Sequence, residues 1–158
     1  MRLLSILCFC LIIYGCKKTQ PSINNYPEQE AFRGVINKDS FNLEKLDATI
    51  LPKAEQPGKY YININCYTPY PHQYFYIHIE EATLQTGTYT IKHTTTTDVK
   101  YNYAYYGAWS IGNQYADFVA GGYVNIHSIS NNKLKGNLYF TTEQGRQIQG
   151  VFNLNVKM

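Results

Sequence analysis

The stretch KYYININCY, residues 59–67, decides how the rest of this chain is read. Tyr60, Ile62, Ile64 and Cys66 fall on one side of an extended backbone, and Tyr61, Asn63, Asn65 and Tyr67 on the other. Alternation with period two marks a strand with one buried and one wetted face, because successive side chains of a pleated strand point to opposite sides. The same rule extends outward in both directions. In 73–80, Phe75, Ile77 and Ile79 oppose Tyr74, Tyr76, His78 and Glu80. In 123–129, Val124 and Ile126 oppose Tyr123, Asn125 and His127. Leu134, Gly136, Leu138 and Phe140 share one side of 133–142, and Ile148, Gly150, Phe152, Leu154 and Val156 one side of 147–157.

The breaks between these runs carry turn residues. Asn37-Lys38-Asp39 closes a first hairpin between 32–36 and 40–43, and Gln56-Pro57-Gly58 separates 49–51 from the strand quoted above. Residues 67–72 hold two prolines, which a central strand does not accept. Asn131-Asn132-Lys133 and 143–146 read as tight hairpin connections. Only 43–47 admits a single helical turn. The expectation is an all-β domain, an antiparallel β-sandwich or partly open β-barrel of about nine or ten short strands. Strand count does not separate the two architectures.

Composition agrees with this. Of 158 residues, 16% are charged, below the roughly 25% of an average soluble domain, and 15% are aromatic, 16 of them Tyr. Coiled coils, helical bundles and disordered chains need more charge and fewer aromatics. A net charge of +3 without a basic stripe leaves no footprint for nucleic acid.

The first residues read as an address. Arg2 is a positive start, and 3–14 is an uncharged apolar run. Its length suits a signal-peptide core and falls short of the roughly 20 residues that span a bilayer. Ile13-Tyr14-Gly15-Cys16 then resembles a bacterial lipobox. The resemblance implies removal of 1–15, a diacylglycerol on the Cys16 sulfur and usually an acylated new amine. Cleavage there would discard Cys8 and Cys10 and leave Cys66 as the one unmodified thiol, so the mature fold would stand without an intrachain disulfide. Cys66 alternates with apolar residues and reads as a buried small side chain. Residues 16–29 are then a lipidated Cys and a flexible tether, polar and with two prolines, and 30–158 a single β domain.

A second resemblance covers most of 30–156. Gly87-Thr88-Tyr89-Thr90-Ile91, the Tyr-rich run 100–106, Gly122-Tyr123-Val124-Asn125-Ile126, 134–140 and Ile148-Gln149-Gly150-Val151-Phe152 follow one another in an order similar to small Bacteroidota-type lipoproteins of a domain-of-unknown-function family. It implies an all-β lipoprotein and supplies no catalytic residues. Surface export in such bacteria goes with acidic residues after the lipidated Cys, whereas Lys17 and Lys18 stand here. That points to an outer-membrane protein facing the periplasm.

Candidate site residues are aromatic. Tyr101, Tyr103 and Tyr105 share one strand face and Tyr74 and Tyr76 another, Tyr67 and Tyr70 lie in the Pro-rich segment, and Trp109 is placed in a loop over 107–114. A flat aromatic surface with polar tips suits a glycan or a protein ligand, with Asn63, Asn65, Asn102 and Asn125 as hydrogen-bonding neighbours. The plainer reading is that Tyr favours strands and fits half-buried positions. His72, His78, His93 and His127 are scattered, and only His78 and Glu80 share a face in the manner of metal ligands, so no metal and no cofactor are expected. Glu80, Glu81, Asp98, Asp117 and Glu143 form no evident catalytic pair. Ser110 and Ser128 lack a nucleophile elbow, and the threonine run 94–97 reads as a loop. The expectation is a non-catalytic, membrane-anchored binding or scaffold module. The alternatives are a lipid or small-molecule carrier with a barrel cavity and an inhibitor or immunity protein.

Overall fold

A computed structural model describes residues 26–68, 72–92, 102–110 and 113–158. The leader 1–15, Cys16, the tether up to residue 25, Tyr70, His93, 94–97, Asp98 and Tyr101 lie outside the described residues.

Among the described residues ten strands follow in chain order: β1 (Ala31–Ile36), β2 (Asp39–Leu43), β3 (Lys45–Pro52), β4 (Tyr60–Tyr67), β5 (His72–Ala82), β6 (Gly87–Lys92), β7 (Tyr103–Ser110), β8 (Asn113–Ser130), β9 (Lys133–Thr142) and β10 (Gln147–Lys157). The helical turn expected over 43–47 is a strand junction, with β2 ending at Leu43 and β3 starting at Lys45. Trp109 belongs to β7, not to a loop, its backbone paired with His72 and Gln114. The connection there is shorter than expected because β7 and β8 continue pairing to Ser110 and Asn113.

Strands β3, β4, β5, β7, β8, β9 and β10 close into a seven-stranded barrel. All pairings are antiparallel except the seam between β10 and β3, where Val156 meets Ala48 and Lys157 meets Thr49 in parallel. The barrel's strands, with β1, β2 and β6, fall into two layers. One holds β2-β1-β10-β9-β8-β6 and the other β3-β4-β5-β7-β8. Strand β8 serves both. Its first part, up to Phe118, pairs with β7, and its later part pairs with β6 and β9. A register shift between Val119 and Gly121 marks the corner, followed by Gly122 at φ 148°. A side chain on Gly122 would run into the Tyr139 carbonyl, so only glycine carries the strand round this bend.

The alternating faces read from sequence are the buried faces. Ile62, Ile64, Cys66, Phe75, Ile77, Ile79, Leu134, Phe140, Ile148, Phe152 and Leu154 have at most 1% of their surface exposed. The layers are joined by an aromatic cluster. The Phe75 ring of β5 lies 5.3 Å from Phe32, 5.1 Å from Phe41 and 5.0 Å from Tyr106, and Phe32 reaches Phe152 at 6.0 Å. Burial pushes the Cys66 thiol up to about 12, which makes it an inert packing group.

Residues 26–30 cross the outer side of the six-strand layer. Asn153 Nδ2 donates to the Pro27 carbonyl at 2.8 Å. Glu30 takes the Asn155 amide at 3.0 Å and its side-chain Nδ2 at 2.7 Å. The Tyr26 ring lies 5.1 Å from His127.

Candidate functional site

The outer face of the five-strand layer carries the side chains that alternate with the core. Register sets Asn63 beside His78, Asn65 beside Tyr76 and Tyr67 beside Tyr74 between β4 and β5. It sets His78 beside Tyr103 and Tyr76 beside Tyr105 between β5 and β7, and Tyr105 beside Phe118 at β8. Strands about 4.8 Å apart bring such neighbours into ring contact.

Five rings form a column across three strands. Tyr61 to His78 is 5.8 Å, His78 to Tyr103 5.1 Å, Tyr103 to Tyr76 5.7 Å and Tyr76 to Tyr105 5.1 Å, with interplanar angles from 23° to 36°. Tyr74 stands edge-on to Tyr105 at 5.6 Å and 77°, and Phe118 ends the array at 5.9 Å. Each such pair contributes about 0.5–1.5 kcal/mol beyond its burial. Gly107, opposite Tyr74 on β7, provides the bed for that ring, since a Cβ at Gly107 would collide with it.

The Tyr61 end is polar. Lys53 Nζ bonds Glu80 at 2.5 Å and lies 5.1 Å from the centre of the Tyr61 ring. His78 Nε2 is 3.0 Å from the other Glu80 oxygen, and His78 Nδ1 is 2.6 Å from Asn63 Oδ1. Asn63 Oδ1 also accepts the Tyr76 hydroxyl at 3.2 Å. Asn102 takes the Glu80 amide at 2.8 Å and donates to the Thr90 carbonyl at 3.0 Å, tying β5 to β6. Burial pushes the Glu80 carboxyl up, but the hydrogen bonds and charges of Lys53 and His78 outweigh it and hold the group below its ordinary value. Burial raises the phenols of Tyr74, Tyr76 and Tyr105, the Tyr76 hydroxyl also through its hydrogen bond with Tyr103. These three phenols therefore keep their protons at neutral pH.

Of the residues singled out in the sequence, Tyr74, Tyr76, Tyr103 and Tyr105 converge here. The Trp109 side chain lies outside what is described. Asn125 sits on the other layer, bonded to Thr88 at 2.6 Å. Sequence reasoning missed Phe118, Tyr61 as a member of the array and Gly107. Phe118 had no usable signal, because the pattern inverts at that point. Asp117 is buried and the larger apolar neighbour is 43% exposed. Asp117 is inside because it organises the turn before β10. It takes Arg146 Nη1 at 2.5 Å and the Gln144 amide at 3.2 Å.

The two best-placed carboxylates, Glu80 and Asp117, are thus each paired with a cation. Among the described residues no group of three or more His, Cys, Asp or Glu comes together that could hold a metal ion. Comparisons with protein-family models, curated proteins and solved structures found no match.

Proposed function

We propose that this chain is a lipid-anchored bacterial envelope protein, held through Cys16 at the periplasmic side of the outer membrane, that binds another envelope protein without catalysis. The observation that carries the binding surface is the continuous aromatic array from Tyr61 to Phe118 on the outer face of the five-strand layer. Its rings lean on one another at 5.1–5.9 Å, so neighbouring rings cover part of each face. Sugar stacking uses bare ring faces, whereas tyrosine edges around an exposed Phe118 match the anchors of protein interfaces. The Phe-packed interior favours a surface ligand over a cargo held inside the barrel.

The anchor geometry supports the same reading. The described end of the tether, 26–30, lies on the six-strand layer, opposite the aromatic array. Ten residues from Cys16 to Tyr26 reach roughly 17 Å as a flexible chain. A bilayer approached from that side leaves the array facing away from the membrane.

A photo-crosslinking residue in place of Phe118, in intact cells, is expected to trap one protein, and the same residue at Thr141 on the other layer to trap none. With the purified partner, Tyr105→Ala is expected to lower affinity about tenfold or more while cooperative melting persists. Crosslinks to glycan alone, or loss of cooperative melting in Tyr105→Ala, would refute the reading. Mass spectrometry of the native product is expected to show a diacylated Cys16 as its first residue. An intact leader would remove the anchor.

A further inference from the structure

Among the described residues, β2 pairs on one side only, with β1. The hydrogen-bonding parity follows from one contact. The Asn37 amide donates to the Gln147 carbonyl at 2.7 Å, so the odd-numbered residues of β1 face β10 and the even-numbered ones face β2. Ile36, Gly34 and Phe32 pair with Asp39, Phe41 and Leu43. The backbone N–H and C=O of Ser40 and Asn42 therefore point away from the sheet, and both residues are exposed. At Glu44 the edge closes, its amide donating to the Tyr67 carbonyl at 3.2 Å. The opposite edge, on β6, is bridged at its end by Asn102, whose carbonyl takes the Lys92 amide at 3.2 Å and whose Nδ2 donates to the Thr90 carbonyl. An open groove of about 1340 Å³ borders the β2 edge along 40–44 and Leu46.

We infer that this edge pairs with the same edge of a second copy of the chain, β2 against β2 antiparallel about a two-fold axis at Phe41. The charge pattern selects the partner. In this register Ser40 of one copy faces Asn42 of the other, so all four free edge groups of each copy are used. The same register ends with the Lys38 side chain, at the turn of one copy, beside the Glu44 side chain of the other, at both ends. Other symmetric registers lose that match. One centred on Ser40 sets Asn42 against Lys38, and one centred on Asn42 sets Ser40 against Glu44. An isologous contact repeats each favourable pair twice and closes after two copies. The Asn37-Lys38 turn ends the incoming strand where Tyr67 takes over the edge, and the groove gives the turn room. Flanking charges that repel an unrelated strand are thus complementary to themselves. The contact lies on the other layer from the aromatic array, so its failure would leave the proposed function standing.

Sedimentation equilibrium of the full chain in detergent micelles reads the result. A reversible dimer is expected. Lys38→Glu and Glu44→Lys are each expected to weaken it on the order of tenfold, and the double variant carrying both to restore it within about threefold. Asn42→Pro removes an outward N–H that bonds nothing among the described residues, and is expected to abolish the dimer without lowering the melting temperature. On the unaltered chain, the Ser40 and Asn42 amides are expected to exchange more slowly as concentration rises. A monomer at every concentration, a dimer indifferent to these charges, or edge amides that exchange alike in monomer and dimer would each overturn the inference.

Discussion

Asp117 and Phe118 exchange the places that a binary pattern gives them, because pairing outranks polarity when a buried turn must be satisfied. The Arg146 guanidinium and the Gln144 amide stabilise the inward carboxylate, and the phenyl ring is left outside to end the array. Glu80 follows the same logic on the outer face. Its ionised form is stabilised in the fold by Lys53 and His78, so its folded pKa lies below the ordinary value of 4.5. The resulting stability is present above about pH 4.5 and is lost as pH falls through the lower folded value. Breaking the pair by Glu80→Gln is expected to cost about 2 kcal/mol at neutral pH, because it removes the charge-assisted bonds to Lys53 and His78. Melting temperatures followed from neutral to acid pH are expected to decline in the unaltered chain, and to lose the part of that slope due to Glu80 in the variant. An identical slope would show that Glu80 is not ionised by its neighbours.

At the scale of elements, β8 shows what periodicity conveys and what it omits. Its later half, with Val124 and Ile126 inward, was legible as alternation. Its first half was not, because a bulge at Val119–Gly121 resets the alternation and the strand passes from one layer to the other there. The two glycines at the corner are unequal. A Cβ on Gly122 meets the Tyr139 carbonyl, while one on Gly121 meets nothing within 4 Å. Gly122→Ala is expected to cost about 2 kcal/mol or more, and Gly121→Ala to stay within about 0.5 kcal/mol. Chemical denaturation of the two variants measures the contrast, and equal losses would mean that the bend does not depend on that close approach. The β5–β7 pair is the simpler case. Its outward tyrosines were visible in the sequence, but their meeting required the register that sets Tyr76 beside Tyr105.

At the scale of the molecule, two layers share one core, and the Phe75 ring touches rings from β1, β2 and β7. Phe75→Ala opens a cavity between the layers and is expected to cost about 3–5 kcal/mol. Thermal unfolding checks this, and a loss below about 1 kcal/mol would mean that the layers are held elsewhere. The sequence alone determined that the chain is all-β, which residues face inward on most strands, and where several turns fall. These properties follow from the two-residue period of a pleated strand and from local turn chemistry, both written in neighbouring residues. Tertiary structure alone decided between sandwich and barrel, because the β10–β3 seam rests on two residue pairs more than a hundred positions apart. It also decided that Tyr61, His78, Tyr103, Tyr76, Tyr105 and Phe118 form one surface, and that β2 keeps an open edge. Register and strand order are long-range choices, set by how the whole chain fills one core, and no local pattern encodes them.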